Sequence, residues 1–263
     1  MLQSIRGVFA ATLLAGCALA ATPAFADEGD PPKEITITGN VALVTDYRFR
    51  GLSQSNGDPA IQGSINVNHA SGFYVGFWSS SIDFAQFPSI ENVYGEMELD
   101  IYAGWTGALG GGVTADVGVL YYAYPGGHVG KSDFVEPYAS LSATMGPVTG
   151  KLGVAYAPKQ KSLDFNADGK SDDNFYTFLD LSAGIPDTPV SIAAHVGFTD
   201  GALSPHFATG NSPRYKGGLD YSIGATVNAT PSLSVGVSYI GVDGARINNY
   251  SDDAVVGTLK FAF

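Results

Sequence analysis

The residues most able to do chemistry are acidic and closely spaced. In Asp164-Phe165-Asn166-Ala167-Asp168-Gly169-Lys170-Ser171-Asp172, side-chain oxygens recur at every second position and a glycine follows where a sharp turn would fall. Asp164, Asn166, Asp168 and Asp172 at that spacing could wrap a Ca2+ ion, which takes several oxygen ligands. The twelfth-position glutamate of a complete calcium loop is missing, because Phe175 stands there. A solvated acidic loop is the plainer reading of the same residues. No other cofactor is expected.

A second acidic group follows a different rhythm. Glu96, Glu98 and Asp100 alternate along one segment, with Asp116 on the next. Asp46, Glu136, Asp180 and Asp220 fall on the same inward side of their own strands, against Arg48, Arg50, Lys151 and Lys260. If the polar side of each strand faces a channel, Arg48, Glu96, Glu98, Asp100, Asp116, Glu136, Asp180 and His195 line it. The acidic excess would then enrich cations and repel anions. Alternatively these groups satisfy one another in a filled interior, as small barrels allow. Arg48 and Arg50 could draw an anion toward the mouth or pin a loop through ion pairs. A catalytic reading finds little support: His69 is close to a turn with Ser71 in it, His128 and His206 fall in loops, and His195 has no partner by spacing. No enzyme is expected.

Such residues need extended elements to hold them. In 35–49 the odd positions Ile35, Ile37, Val41, Leu43, Tyr47 and Phe49 are apolar, while Thr36, Thr38, Asn40, Asp46 and Arg48 are polar. That period of two is a strand's, not a helix's. The pattern returns near 59–69, 73–83, 93–105, 113–124, 134–145, 148–157, 174–184, 190–199, 218–228, 233–242 and 253–263. Segments of this length suit tilted strands crossing a bilayer. Short joins such as Gly146-Pro147 alternate with longer polar ones such as 158–173. Twelve antiparallel strands in an up-and-down transmembrane β-barrel, with short turns on one side and longer loops on the other, are therefore predicted over 34–263.

Composition agrees. Charged residues are 14 %, glycines number 34 and tyrosines 14, a profile unlike that of an average soluble domain. The formal net charge of −12 excludes general nucleic-acid binding. Residues 1–26 read as a cleaved export signal: Arg6, an apolar run from Gly7 to Ala21, then Ala24-Phe25-Ala26. A short polar segment, 27–33, follows. Leu14-Ala15-Gly16-Cys17 also fits a lipidation site, but the residues after Cys17 stay apolar. If Cys17 leaves with the signal, no thiol remains for a disulfide or metal.

The aromatic residues sort by height. Tyr47, Phe49, Tyr121, Tyr156, Phe175, Phe198, Tyr221 and Tyr239 fall at loop-side strand ends, with Phe73, Trp105, Phe261 and Phe263 at turn-side ends. Two aromatic belts match two membrane interfaces. A secreted β-sandwich would also alternate, but it would not sort its aromatics this way. The final strand carries Phe261 and ends on Phe263, resembling the terminal signal that outer-membrane assembly machinery recognises. Asn40–Ser80, with Tyr47-Arg48-Phe49-Arg50-Gly51-Leu52-Ser53-Gln54, resembles a TorF-like family of bacterial outer-membrane porins, as do Asp173–Pro186 and His195–Gly201. The resemblance implies a porin in the lipid bilayer of the outer membrane, passing small polar solutes. It supplies no substrate or site residue. A closed barrel with ligand-binding outer loops is the alternative.

Overall fold

The computed structural model describes residues 34–85, 93–127, 132–164, 170–205, 217–244 and 246–263. The export signal, the segment 27–33, His128 and His206 lie outside them.

Twelve antiparallel strands close into a barrel. They are β1 (Ile35–Val44), β4 (Ala60–His69), β5 (Phe73–Ser81), β6 (Met97–Gly110), β7 (Val113–Ala123), β8 (Phe134–Met145), β9 (Val148–Gln160), β10 (Asp172–Gly184), β11 (Val190–Gly201), β12 (Gly217–Asn228), β13 (Leu233–Val242) and β14 (Ala254–Ala262). Each pairs with its neighbours in sequence, and β14 returns to β1, so no wall strand is left with a free edge. Two further strands, β2 (Arg48–Phe49) and β3 (Leu52–Ser53), pair only with each other.

Alternation gives the wall two faces of opposite character. Ile37, Leu43, Phe77, Leu152, Ile223 and Val237 are among the exposed large apolar side chains, at 61 %, 53 %, 44 %, 58 %, 58 % and 51 %. Asp100, Glu98 and Glu136 are buried at 0–3 %. A soluble protein would invert this order. An aliphatic exterior around a polar interior is stable where the surroundings are hydrocarbon. Tyr121, Tyr156, Phe175, Phe198, Tyr221 and Tyr239 form the loop-side belt on that exterior, and Phe73, Phe261 and Phe263 are exposed at the turn side.

The seam is short. β1 and β14 pair over Asn40↔Ala262 to Val44↔Thr258. Phe263 extends it: its N–H donates to the Gly39 carbonyl at 3.0 Å, and the Gly39 N–H donates to its carbonyl at 2.9 Å. The Phe263 ring lies over Gly39, where an added Cβ would stand 2.7 Å from Phe263 Cζ.

One expected strand is cut short. Alternation continues to Phe49, yet β1 ends at Val44 and Thr45 makes the last seam contact, its N–H donating to Gly257 at 3.0 Å. The chain then turns into the barrel. Tyr47, expected on the lipid face, is 1 % exposed inside, and Phe49 packs against the interior cluster. The residues that join the first two expected strands follow them in, with Leu52, Ser53 and Ser55 buried. β2 is itself extended, so period two cannot distinguish a wall strand from an inner hairpin. At its tip Arg50 (φ 47°) and Gly51 (φ 79°) are both left-handed, the two-residue turn whose twist matches a hairpin and which favours glycine second.

Candidate functional site

The inner hairpin is held at its base by charge. Arg48 Nε donates to Asp46 Oδ2 at 2.5 Å. Its Nη1 donates to the carbonyls of Gly51, Tyr250 and Asp252 at 3.2, 3.1 and 2.7 Å. Asp46 Oδ1 accepts from Ser53 Oγ at 2.6 Å and Ser55 Oγ at 3.3 Å. The Ser53 N–H donates to Tyr250 at 2.8 Å. The first loop is thereby tied to the last one, before β14, by groups that leave few buried donors unsatisfied.

The tip reaches the far wall. Arg50 Nη2 donates to both Glu136 oxygens on β8, at 2.8 and 2.7 Å. Its guanidinium carbon stands 4.1 Å from the Tyr176 ring centroid on β10 and 4.8 Å from that of Phe49. Both partners of the ion pair are buried, with side-chain exposures of 6 % and 3 %. Glu136 also accepts from the Tyr122 hydroxyl at 3.1 Å, and Glu98 accepts from Tyr47 at 3.1 Å. Aromatic rings fill the space between: Tyr47 lies 5.3 Å from Trp78, Phe49 meets Tyr122 edge-on at 5.8 Å, and Tyr122 stacks on Phe134 at 4.1 Å.

A second cluster faces the lumen from β10, β11 and β12. His195 Nδ1 lies 2.6 Å from Asp180 Oδ1, and Nε2 lies 2.9 Å from Asp220 Oδ1. A carboxylate only accepts, so both ring nitrogens must donate to satisfy both contacts. The Tyr176 hydroxyl is 2.9 Å from His195 Nε2 and donates to Asp220 at 3.1 Å. Tyr176 thus touches Arg50 with its face and this cluster with its hydroxyl. Asp180 and His195 keep 21 % and 15 % side-chain exposure.

Toward the turns polar groups line the interior among buried tyrosines. Asp116 accepts from Tyr74 at 2.6 Å, and the Tyr74 and Tyr138 hydroxyls share a hydrogen bond. Tyr102 donates to Asn66 at 2.5 Å, and Asn40 to Ser64 at 2.6 Å. Thr36, Thr38, Asn40, Ser64 and Asn66, inward on β1 and β4, are all half-buried.

The expected lining residues fall into these groups. Arg48 belongs to the hairpin base, Glu136 is the anchor for its tip, Glu98 and Asp100 lie buried beneath it, Asp116 sits with the tyrosines, and Asp180 and His195 form the second cluster. Glu96 is different: it is exposed and precedes the first residue of β6, because that strand begins at Met97. Of the calcium-loop residues, Asp164 follows a 3-10 turn at Lys161–Leu163 and Asp172 opens β10. Asn166 and Asp168 lie outside the described residues. His69 Nδ1 is 2.6 Å from Ser71 Oγ, but the Ser71 N–H also donates to it at 3.1 Å, a local turn bond. Sequence reasoning set Arg50 and Asp220 among the inward-facing charges, and Arg50 as able to pin a loop through an ion pair, but it did not single out Tyr176. Arg50-Gly51 is the one local signal for the turn that carries Arg50 inward.

A family model described as "Bacterial protein of unknown function (Gcw_chp)" matches residues 27–262. No curated protein matches the chain. Among solved structures, the NanC porin is 12 % identical, with a TM-score of 0.57 over 87 % of this chain and 99 % of that one. The KdgM porin is 7 % identical, with a TM-score of 0.53 over 86 % and 98 %. At such identities the likeness establishes the shared barrel fold.

Proposed function

The chain belongs to the Gcw_chp family, bacterial proteins of unknown function, and from its barrel we propose a porin-like outer-membrane channel for small polar solutes. The single observation that carries this reading is the interior of the turn-side half, lined by half-buried Thr36, Thr38, Asn40, Ser64 and Asn66 behind an aliphatic exterior. Such a wall hydrates a lumen at no cost in unsatisfied groups. The porin neighbours support the same reading, and the expected export signal and the resemblance of Tyr47–Gln54 to TorF-like porins accord with it.

On this reading the inner hairpin is the narrow point. Arg50 and Glu136 span the loop side, and solutes pass beside them along the wall that carries Asp180, His195 and Asp220. The acidic excess there favours cations mildly. Passage needs no bond to be made or broken, so the residues act through size and charge, not as an enzyme.

Vesicle swelling tests this. Vesicles holding the folded protein should swell in an isotonic small sugar faster than protein-free vesicles do. Equal rates would remove the channel reading and favour a closed barrel with binding loops.

A further inference from the structure

Among the described residues beneath the inner hairpin the buried charges do not balance. Glu98, Asp100 and Glu136 are three carboxylates at 2 %, 0 % and 3 % exposure. Arg50 is the guanidinium set against them, and its Nη2 is committed to Glu136. Glu98 receives the Tyr47 hydroxyl. Asp100 differs from both: neither of its oxygens has a hydrogen-bond partner among the described residues, and both are shielded from solvent. The register sets it between Trp78 of β5 and Tyr122 of β7. Glu98, two residues earlier on the same strand, points to the same side. A carboxylate withdrawn from water with neither donor nor counter-charge is strongly disfavoured. Carboxylate oxygens in pairs are what hard cations select.

We propose that Asp100 and Glu98 bind a hard, oxygen-preferring inorganic cation beneath the inner hairpin. The ion supplies the positive charge that Arg50 alone does not, and it braces the wall against which the hairpin rests. Among the described residues no three His, Cys, Asp or Glu side chains converge as in a caged metal centre. The bound ion therefore completes its shell with water or backbone oxygens. The site is separate from the loop holding Asp164 and Asp172, and it does not depend on conduction, since a closed barrel would hold the ion equally well.

Terbium, a luminescent stand-in for calcium, reports such an ion when a neighbouring indole is excited. Of the two tryptophans, Trp78 flanks Asp100, whereas Trp105 donates to Ser71 at the turn side. Titrated into the full-length protein folded in detergent, terbium should give saturable emission. Asp100→Asn and Glu98→Gln, near-isosteric changes, should each weaken binding about tenfold or more, the scale of losing a charged ligand or its support. The pair Asp164→Asn and Asp172→Asn should leave it unchanged. Displacement by calcium chloride would identify a divalent ion. Displacement by sodium chloride, with choline chloride at matched ionic strength as control, would identify a monovalent one. Heat-dependent gel mobility verifies that each variant is folded. Emission that never saturates, that neither salt displaces, that survives Asp100→Asn in folded protein, or that is lost only with the loop pair overturns the proposal.

Discussion

At the scale of single residues, the Arg50–Glu136 pair governs the inner hairpin. Both partners are buried, and the guanidinium also lies over Tyr176. Removing one partner strands the other charge, so Arg50→Ala should destabilise the barrel by about 3–5 kcal/mol. Replacing both partners, Arg50→Met with Glu136→Leu, should cost much less. Urea unfolding followed by tryptophan fluorescence checks this; equal losses in the single and double variants would deny that the pair is a charge latch. Outside the wall, Asp253 gathers Tyr239 at 2.8 Å, Arg246 at 2.6 Å and Tyr221 at 3.4 Å. The Tyr239 hydrogen bond, then the Arg246 contacts, hold its carboxyl below the ordinary aspartate range. A depressed folded value means that the stabilisation is complete above the unfolded value and disappears as pH falls through the folded one. The Tyr239 ring NMR signals should therefore shift only on acidification below the usual aspartate range. In Asp253→Asn that step should be absent; an unchanged step would assign it elsewhere.

At the scale of elements, the seam between β1 and β14 depends on the end of the chain. Phe263 adds two backbone hydrogen bonds across Gly39 and covers it with its ring. Gly39→Val would drive a side chain into that ring and into the Ser64 carbonyl, at 2.7 Å each. Overpacking of this kind costs about 1–3 kcal/mol. The temperature at which the folded gel band disappears should fall accordingly. Deleting Phe263 should lower the yield of inserted barrel more than it lowers that temperature; a normal yield would contradict a role in assembly. The elements also mark where sequence reading succeeds. Positions such as Ile61, Ile65 and Val67 alternate with Gln62, Ser64 and Asn66, and this strand forms as its pattern dictates because each face meets one environment. Thr45–Phe49 alternates just as well but leaves the wall. Its fate is decided by Asp46, Arg48, Ser53 and Tyr250, which meet only after the last loop is in place. Likewise the inward parity of Glu136 is legible from its neighbours, whereas its partner Arg50 lies 86 positions away. No local period carries that contact.

At the scale of the whole molecule, the barrel is an apolar sleeve around an interior whose two ends differ in lining. The loop-side half is occupied by the inner hairpin, its two arginines and a cluster of aromatic rings. The turn-side half is walled by half-buried Ser, Thr and Asn. If the barrel is the proposed channel, permeability would depend on how much room the hairpin leaves, and selectivity on the acidic wall beside it. The most direct test is single-channel current across a planar bilayer with a salt gradient, for the wild type and Arg50→Ala. Small discrete steps with a reversal potential favouring cations, growing when Arg50 is removed, are the predicted result. A silent bilayer from protein whose gel mobility shows it folded, in both forms, would contradict the channel.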